Sequence, residues 1–292
     1  MRSVFKRRAK LGIRLKRFRW ALEDGFGRLS GNSVYVGPAA PLNRVRALVS
    51  SFVPEPGLTP LTRIGPMSDG GYLVPDDLEG LAACLSPGTS TEAGFDYEMA
   101  DRGMPVIMAD PTVEGPPVEH PNFRFEKKSV GSRDDTTSTT LRRLIEKHLA
   151  DTEGDLILQM DIEGAEYAVL LDLDPATLGR LRIMAIEFHH LDQVFAAGFG
   201  EIVAAAIAKL KQTHAVVHLH ANNWRPLIRR GEIAIPPILE ATFHRRDRHR
   251  PDPDVSLSYP HPLDAVSVPS RSDIILPEIW RTKQGREGDS AG

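Results

Sequence analysis

The sequence predicts an α/β fold organised around a mostly parallel sheet. From Leu81 to Phe243, short apolar runs alternate with stretches of helical periodicity, the pattern of successive βαβ units. Several of those runs end in polar or acidic residues, as strands do where an open parallel sheet presents its ligand-binding edge. The 292 residues are 41% hydrophobic and 26% charged, which suits one folded domain with extensions and neither a disordered nor a fibrous chain.

The elements follow in order. Residues 1–22 hold nine Lys or Arg and no Asp or Glu, with Val4, Leu11, Leu15, Phe18 and Leu22 at helical spacing. A basic amphipathic helix is expected there, either docking on an anionic membrane surface or partner, or packing its apolar stripe on the domain. A Gly-, Pro- and Ser-rich arm follows from Gly25 to Pro66, with one helical candidate at 42–52. Strands are expected at 81–86, 105–110, 123–130, 155–161, 182–188, 215–220 and 238–244, and helices at 91–102, 139–149, 165–171 and 201–212. The hydroxyls of Ser138, Thr139 and Thr140 offer an N-cap just before Leu141, Leu144, Ile145 and Leu149, which share one helix face. The tail after Arg245 is rich in Pro, Arg, Asp and Ser, and its last dozen residues are expected to be disordered. The organisation is therefore an N-terminal helix and arm at 1–64, a central domain at 65–250 and a C-terminal extension at 251–292.

Several function classes are disfavoured. A net charge of −3 gives no global reason to expect nucleic acid as a partner. The single cysteine, Cys84, lies in the apolar run Leu81-Ala82-Ala83-Cys84-Leu85, so a disulfide scaffold is excluded and a buried structural thiol is expected. No run is long enough to span a bilayer, and the N-terminus lacks the apolar segment of a signal peptide. A cytoplasmic location follows, with peripheral membrane contact through residues 1–22 as its variant. The charge run from His244 to Arg250 reads as solvated surface.

The chemistry is expected at strand ends. The first strand runs into Ser86-Pro87-Gly88-Thr89, a turn where glycine lets backbone approach a ligand. The second ends at Asp110, 24 residues after Ser86, about where an acidic residue in such a unit hydrogen-bonds ribose hydroxyls. An N-cap aspartate before Pro111 is the competing reading. The fourth delivers Asp161 and Glu163 in Gln159-Met160-Asp161-Ile162-Glu163-Gly164-Ala165-Glu166-Tyr167. Acids at the end of a buried strand are costly unless something pairs with them. The fifth ends in Glu187-Phe188-His189-His190, with Glu187 and His189 on one face, and the sixth has His218 and His220 similarly placed. Two chemistries remain open here. His189 or Asp161 could act as general base for a hydroxyl, or Asp161, Glu187 and a histidine, His189 or His220, could hold a divalent metal. Hydrogen-bonded core or rim histidines are the plainer expectation for His190 and His218.

These residues carry a resemblance. Gln159 to Tyr167 resembles the Asp-x-Glu-Gly-Ala-Glu element of FkbM-type S-adenosylmethionine-dependent methyltransferases, and Ile183 to His189 resembles that family's following strand ending in Glu-x-His. The segment Ser68-Asp69-Gly70-Gly71-Tyr72 is similar to one that precedes the first strand in one branch, and Phe125 to Gly131 to the third strand and turn. The resemblance implies a Rossmann-like class I methyltransferase fold, a mostly parallel seven-stranded sheet with helices on both faces. It implies S-adenosyl-L-methionine as cofactor, with Ser86, Pro87 and Gly88 at the methionine part, Asp110 at the ribose, Ser129 and Val130 near the adenine, and Asp161 at the amine or acceptor side. Catalytic candidates are Asp161, Glu163, Glu187 and His189. The acceptor would be a hydroxyl of a sugar, glycolipid or other polar metabolite. Here the first-strand turn departs from the family's acidic or Gly-rich form. Two rival readings stand beside this one: a membrane-surface or partner-binding protein without transfer activity, and a metal-dependent hydrolase using Asp161, Glu187, His189 and His220.

Overall fold

The computed structural model describes residues 37–89 and 91–282. The basic segment 1–22, expected as an amphipathic helix, and the last ten residues, expected as a disordered tail, lie outside the described residues. In chain order the elements are α1 (Leu42–Ser51), β1 (Leu61–Ile64), β2 (Tyr72–Pro75), β3 (Leu81–Pro87), α2 (Gly94–Asp101), β4 (Val106–Ala109), β5 (Phe123–Glu126), β6 (Ser129–Val130) and β7 (Ser138–Thr139). There follow α3 (Leu141–His148), β8 (Asp155–Met160), α4 (Glu166–Asp172), α5 (Pro175–Arg180), β9 (Leu181–Phe188), α6 (Ala197–Leu210), β10 (His214–Ala221), β11 (Ile228–Arg230), β12 (Ile233–Ile235) and β13 (Leu239–Arg245).

Seven strands form the central sheet in the order β10-β13-β9-β8-β3-β4-β5. The pairs β3/β4, β3/β8, β4/β5 and β8/β9 are parallel, and β13 runs antiparallel between β9 and β10. This is the Rossmann-like class I arrangement, and its strands occupy the seven expected segments. The order reverses between β3 and β8, so their carboxyl ends flank the crevice in which such sheets bind ligands.

Alternation along the strands divides the core between the two faces. Leu85, Ile107, Leu156 and Leu158 pack on one face with α1, α3, α4 and α6, while Cys84, Val106, Met108 and Ile157 pack on the other with α2 and the β1/β2 hairpin. Cys84 is buried, as its apolar run predicts. The arm before the domain is part of that core. Val45, Leu48, Val49 and Phe52 are buried, and Phe52 meets Phe188 edge-on with ring centroids 5.7 Å apart. Helix α3 is capped as expected, the Thr140 hydroxyl accepting from Arg143 N at 3.1 Å.

Several features were not foreseen, the β11/β12 hairpin among them. The β1/β2 hairpin caps one face and is tied to the sheet by the Thr242 hydroxyl, which donates to Leu73 O at 2.6 Å. Residues 175–180 form α5, whose N-cap Asp174 accepts from Ala176 N and Thr177 N. The expected strand 123–130 is two strands. β5 stays in the sheet, while β6 leaves it to pair with β7, because Asp135 accepts from Thr137 N and Ser138 N and turns the intervening loop back.

The extension after β13 folds over the sheet edge. Asn223 exchanges hydrogen bonds with Val268 (Val268 N to Oδ1 2.8 Å, Nδ2 to Val268 O 3.1 Å), and His218 Nε2 lies 2.8 Å from Asp264 Oδ1. Trp280 is buried and donates to Ala234 O at 2.9 Å. Among the described residues, no helix is long and apolar enough to cross a membrane.

Candidate active site

The site is built from the carboxyl ends of β3, β4, β8 and β9. After β3, Gly88 takes φ +95°, and a Cβ there would lie 1.5 Å from Asp161 O. Only glycine permits that approach, in a conformation that L side chains rarely adopt. Gly88 N donates to Ala109 O at 2.9 Å and Asp161 N to Pro87 O at 3.2 Å, which knits the ends of β3, β4 and β8 together.

Over these ends lies a cavity of about 270 Å³, lined in part by Gly88, Asp110, Thr112, Ser129, Val130 and Asp161. Asp110 is nearly buried, and its Oδ1 accepts from Thr112 N at 2.6 Å and Thr112 Oγ1 at 2.5 Å. Both bonds fall on one oxygen, so Oδ2 is outside them. Asp110 thus closes a turn before the loop and also contributes a carboxylate to the cavity wall. Ser129 and Val130 arrive through β6, the strand that leaves the sheet. Ser86 does not line this cavity. It is fully buried and its hydroxyl donates to Gln159 Oε1 at 2.7 Å, because its place inside β3 points it toward the core rather than into the following turn. Pro87, also buried, contributes its backbone to the β8 end.

A second cavity of about 420 Å³ shares Asp161 and Glu163 with the first. Its walls include Asp69, Glu187, His189, Asn222, Trp224 and Arg225, with Ser267 and Val268 from the C-terminal extension. His189 is the hub. Its Nδ1 lies 3.0 Å from Glu166 Oε1, and its Nε2 lies 3.4 Å from Glu163 Oε2, 3.5 Å from Glu187 Oε1 and 3.8 Å from Asp161 Oδ1. The backbone of His189 is held by the Tyr167 hydroxyl, which donates to His189 O at 2.8 Å.

Glu166 is completely buried at the start of α4, and its Oε1 also accepts from Gly164 N at 3.0 Å and Ile162 N at 3.3 Å. One carboxylate oxygen therefore shapes the loop 162–164 and orients the ring. That loop is strained: Glu163 and His190 both take φ +56°, the only non-glycine positive values among the described residues, and both border the second cavity. A Cβ on Gly164, at φ +108°, would come within 2.8 Å of the His190 ring.

The electrostatics follow from crowding acids where water is scarce. Desolvation, added to by Glu163 and Glu166, pushes the Asp161 carboxyl up to about 7 against the opposing pull of His189. Desolvation with the charges of Asp161 and Glu240 holds Glu187 well above the carboxylate range. Burial alone would lower His189, but the hydrogen bond to Glu166 and the charges of Glu166, Asp161 and Glu163 outweigh it and raise its pKa. Asp69 is raised by burial and by Glu240.

The structure thus gathers all four catalytic candidates, Asp161, Glu163, Glu187 and His189, at the junction of two cavities. Asp161, Glu187 and His189 can each offer one ligand atom within 4.8 Å of the others. His220 does not join that group. It stands on the edge strand with Glu240 Oε2 3.3 Å from its Nδ1 and Asp273 Oδ1 3.1 Å from its Nε2, because β13 separates β10 from β9. Asn222 does reach the site, Nδ2 donating to Glu187 Oε1 at 3.2 Å, since the chain turns inward after β10. Sequence reasoning missed the role of Glu166, whose signal was the last acid of Asp161-Ile162-Glu163-Gly164-Ala165-Glu166. It also missed Trp224, Arg225, Ser267 and Val268, for which no local signal existed.

Comparison with known proteins agrees with this arrangement in one respect. Residues 106–212 match the family model for the methyltransferase FkbM domain. A crystal structure of an rRNA methylase from Streptococcus thermophilus aligns with a TM-score of 0.32 and 8% identity, over 72% of this chain and 99% of that one. No curated protein matches the chain.

Proposed function

We propose that this chain, whose residues 106–212 carry a methyltransferase FkbM domain, moves the methyl group of S-adenosyl-L-methionine to a hydroxyl of a sugar, glycolipid or other polar metabolite. The observation that carries the reading is the pair of adjoining cavities that meet at Asp161 and Glu163. The donor set of the smaller one suits a nucleoside cofactor. Asp110 presents a nearly buried carboxylate, and a carboxylate accepts two hydroxyl donors well. Gly88 brings backbone to the wall, and Ser129 and Val130 close the far side. When bound, S-adenosyl-L-methionine supplies an electrophilic methyl on a sulfonium.

The protein's own part is placement. Holding an acceptor oxygen in line with that carbon gains a large effective molarity, and this is the main contribution expected of the walls. Assistance in removing the hydroxyl proton is a smaller term, supplied by the carboxylates and imidazole around Asp161. The larger cavity, with Asp69, Asp161, Glu163, Glu187 and His189, is polar enough to accept several hydroxyl hydrogen bonds. Trp224, more than half exposed, offers a flat apolar face beside them.

Calorimetric titration with S-adenosyl-L-methionine tests the reading. Binding by the wild type that weakens by about tenfold or more in Asp110→Ala is expected, a loss of roughly 1.4 kcal/mol or more. A wild-type protein that does not bind the cofactor would sink it.

A further inference from the structure

We propose that Asp161, Glu187 and His189 form a binding site for a divalent cation at the acceptor side of the two cavities. Binding of the ion stands on its own observations, and only its use in catalysis rests on the methyl-transfer reading.

The first observation is the histidine. Its Nδ1 is committed to the wholly buried Glu166, which leaves Nε2 as the nitrogen that faces Asp161, Glu163 and Glu187. Metal-ligating histidines are held in this manner, one ring nitrogen fixed by a carboxylate and the other presented to the ion. The second is Asp161 Oδ1, a buried oxygen with no hydrogen-bond partner, in a residue that lines both cavities. Buried acceptors left without a donor are rare, and an ion supplies the missing partner. The third is Glu187, whose side chain is 6% exposed and whose Oε1 accepts from Asn222 Nδ2 at 3.2 Å and lies 3.5 Å from His189 Nε2. Two carboxylates brought together, Glu187 buried and Asp161 with 31% of its side chain exposed, favour positive charge nearby. The imidazole supplies at most one, and it is shared with Glu166 and Glu163.

The three ligand atoms lie within 4.8 Å of one another, a set that must draw together around an ion. Octahedral ligands at about 2.1 Å from an ion are roughly 3 Å from one another along an edge. The Nε2 separations of 3.5 Å from Glu187 and 3.8 Å from Asp161 need contractions of less than about 1 Å to reach that value. Two carboxylates with one imidazole and no thiolate suit a first-row ion of the manganese type. Three protein ligands leave positions open toward the cavity, the mark of a site that takes a further ligand from outside.

An acceptor hydroxyl entering one of those positions would be polarised. The O–H bond then breaks with its proton passing to the exposed Glu163 and on to solvent. The oxygen forms the new bond to the methyl carbon, and the sulfonium C–S bond breaks with its electron pair staying on sulfur. In this arrangement His189 is a ligand and not the base.

The test uses the full chain, purified without an affinity tag and treated with a chelator. Mn²⁺ is titrated by electron paramagnetic resonance and by calorimetry, with Mg²⁺ and Zn²⁺ as competitors. One ion per chain is expected, weakened about a hundredfold in Glu187→Gln and in Asp161→Asn, and about tenfold in Glu166→Gln, which removes the charge behind the histidine while keeping an acceptor oxygen for the loop 162–164. Glu201→Gln, an exposed acid on α6 paired with Arg44 and outside the group, should leave binding unchanged. Thermal melts confirm that each variant is folded, and the two ligand variants guard against the loss of either. The proposal is overturned if the wild type binds none of the three ions, or if both ligand variants bind as the wild type does. Calorimetry with S-adenosyl-L-methionine on the same samples separates the two readings. Cofactor binding without ion binding would discard only the metal site, and ion binding without cofactor binding would discard only the methyl-transfer reading.

Discussion

Gly88 and Asp161 touch backbone to backbone: a Cβ on the first would lie 1.5 Å from the carbonyl oxygen of the second. The two residues end neighbouring strands at the point where the sheet order reverses, so their contact sets the spacing of the crevice. Gly88→Ala must push the β3 and β8 ends apart while holding a side chain at φ +95°. A destabilisation of about 2–4 kcal/mol is expected from the overlap and the backbone strain together. Urea unfolding measures it, and a variant as stable as the wild type would show that the strand ends can separate freely.

Glu166 should separate structural from electrostatic roles. Alanine there leaves Ile162 N, Gly164 N and His189 Nδ1 without their acceptor, and about 2–4 kcal/mol of stability should be lost. Glutamine keeps an acceptor oxygen, so its loss should be smaller. It removes the charge that raises the His189 pKa, and an NMR titration of the ring should therefore find a lower value in Glu166→Gln than in the wild type. An unchanged value would mean that Glu166 does not govern the ring.

Asp161 gives a pH dependence with a definite sign. Its folded-state value, raised to about 7, lies above the ordinary carboxylate value near 4, so between them the folded chain binds more protons than the unfolded one. Stability from this group therefore falls as pH rises through that window. In chelator-treated, ligand-free protein, Asp161→Asn should raise the melting temperature at pH 8 and change it little at pH 4. A variant less stable than the wild type at pH 8 would contradict the sign.

Much of this was legible in the sequence, and what was not has physical causes. Six of the seven sheet strands are mostly buried runs whose apolar character is local, so each could be read from its own residues, while the edge strand β5 is only partly buried. The β1/β2 hairpin has four-residue strands, one of them only partly buried, and it acquires its place from Tyr72 packing on Phe95 and from Thr242. Asp110, Asp161 and His189 directly follow strands and Glu187 is the penultimate residue of one, so their sequence positions placed them at the same sheet edge. Glu166 was hidden because an acid in the first turn of a helix is ordinary in sequence. Ser86 misled for the opposite reason: a hydroxyl written beside Pro87 and Gly88 reads as part of a turn, while the strand continues through it into the core.

The C-terminal extension is expected to be integral to stability. Trp280 is 1% exposed, with its ring centroid 5.7 Å from that of Phe52 in the segment before the sheet. Trp280→Ala should cost about 3–5 kcal/mol, as for other large buried aromatics. A loss below 1 kcal/mol in chemical denaturation would mean that the extension is only laid on the surface.

The shared oxygen of Glu166 makes the loop and the imidazole one mechanical unit. Substitutions in 162–164 and at His189 should accordingly be epistatic, each altering what the other does, so a double-mutant cycle between them would not close to zero. For variation over generations, this means that the loop and the end of β9 are free to change only together.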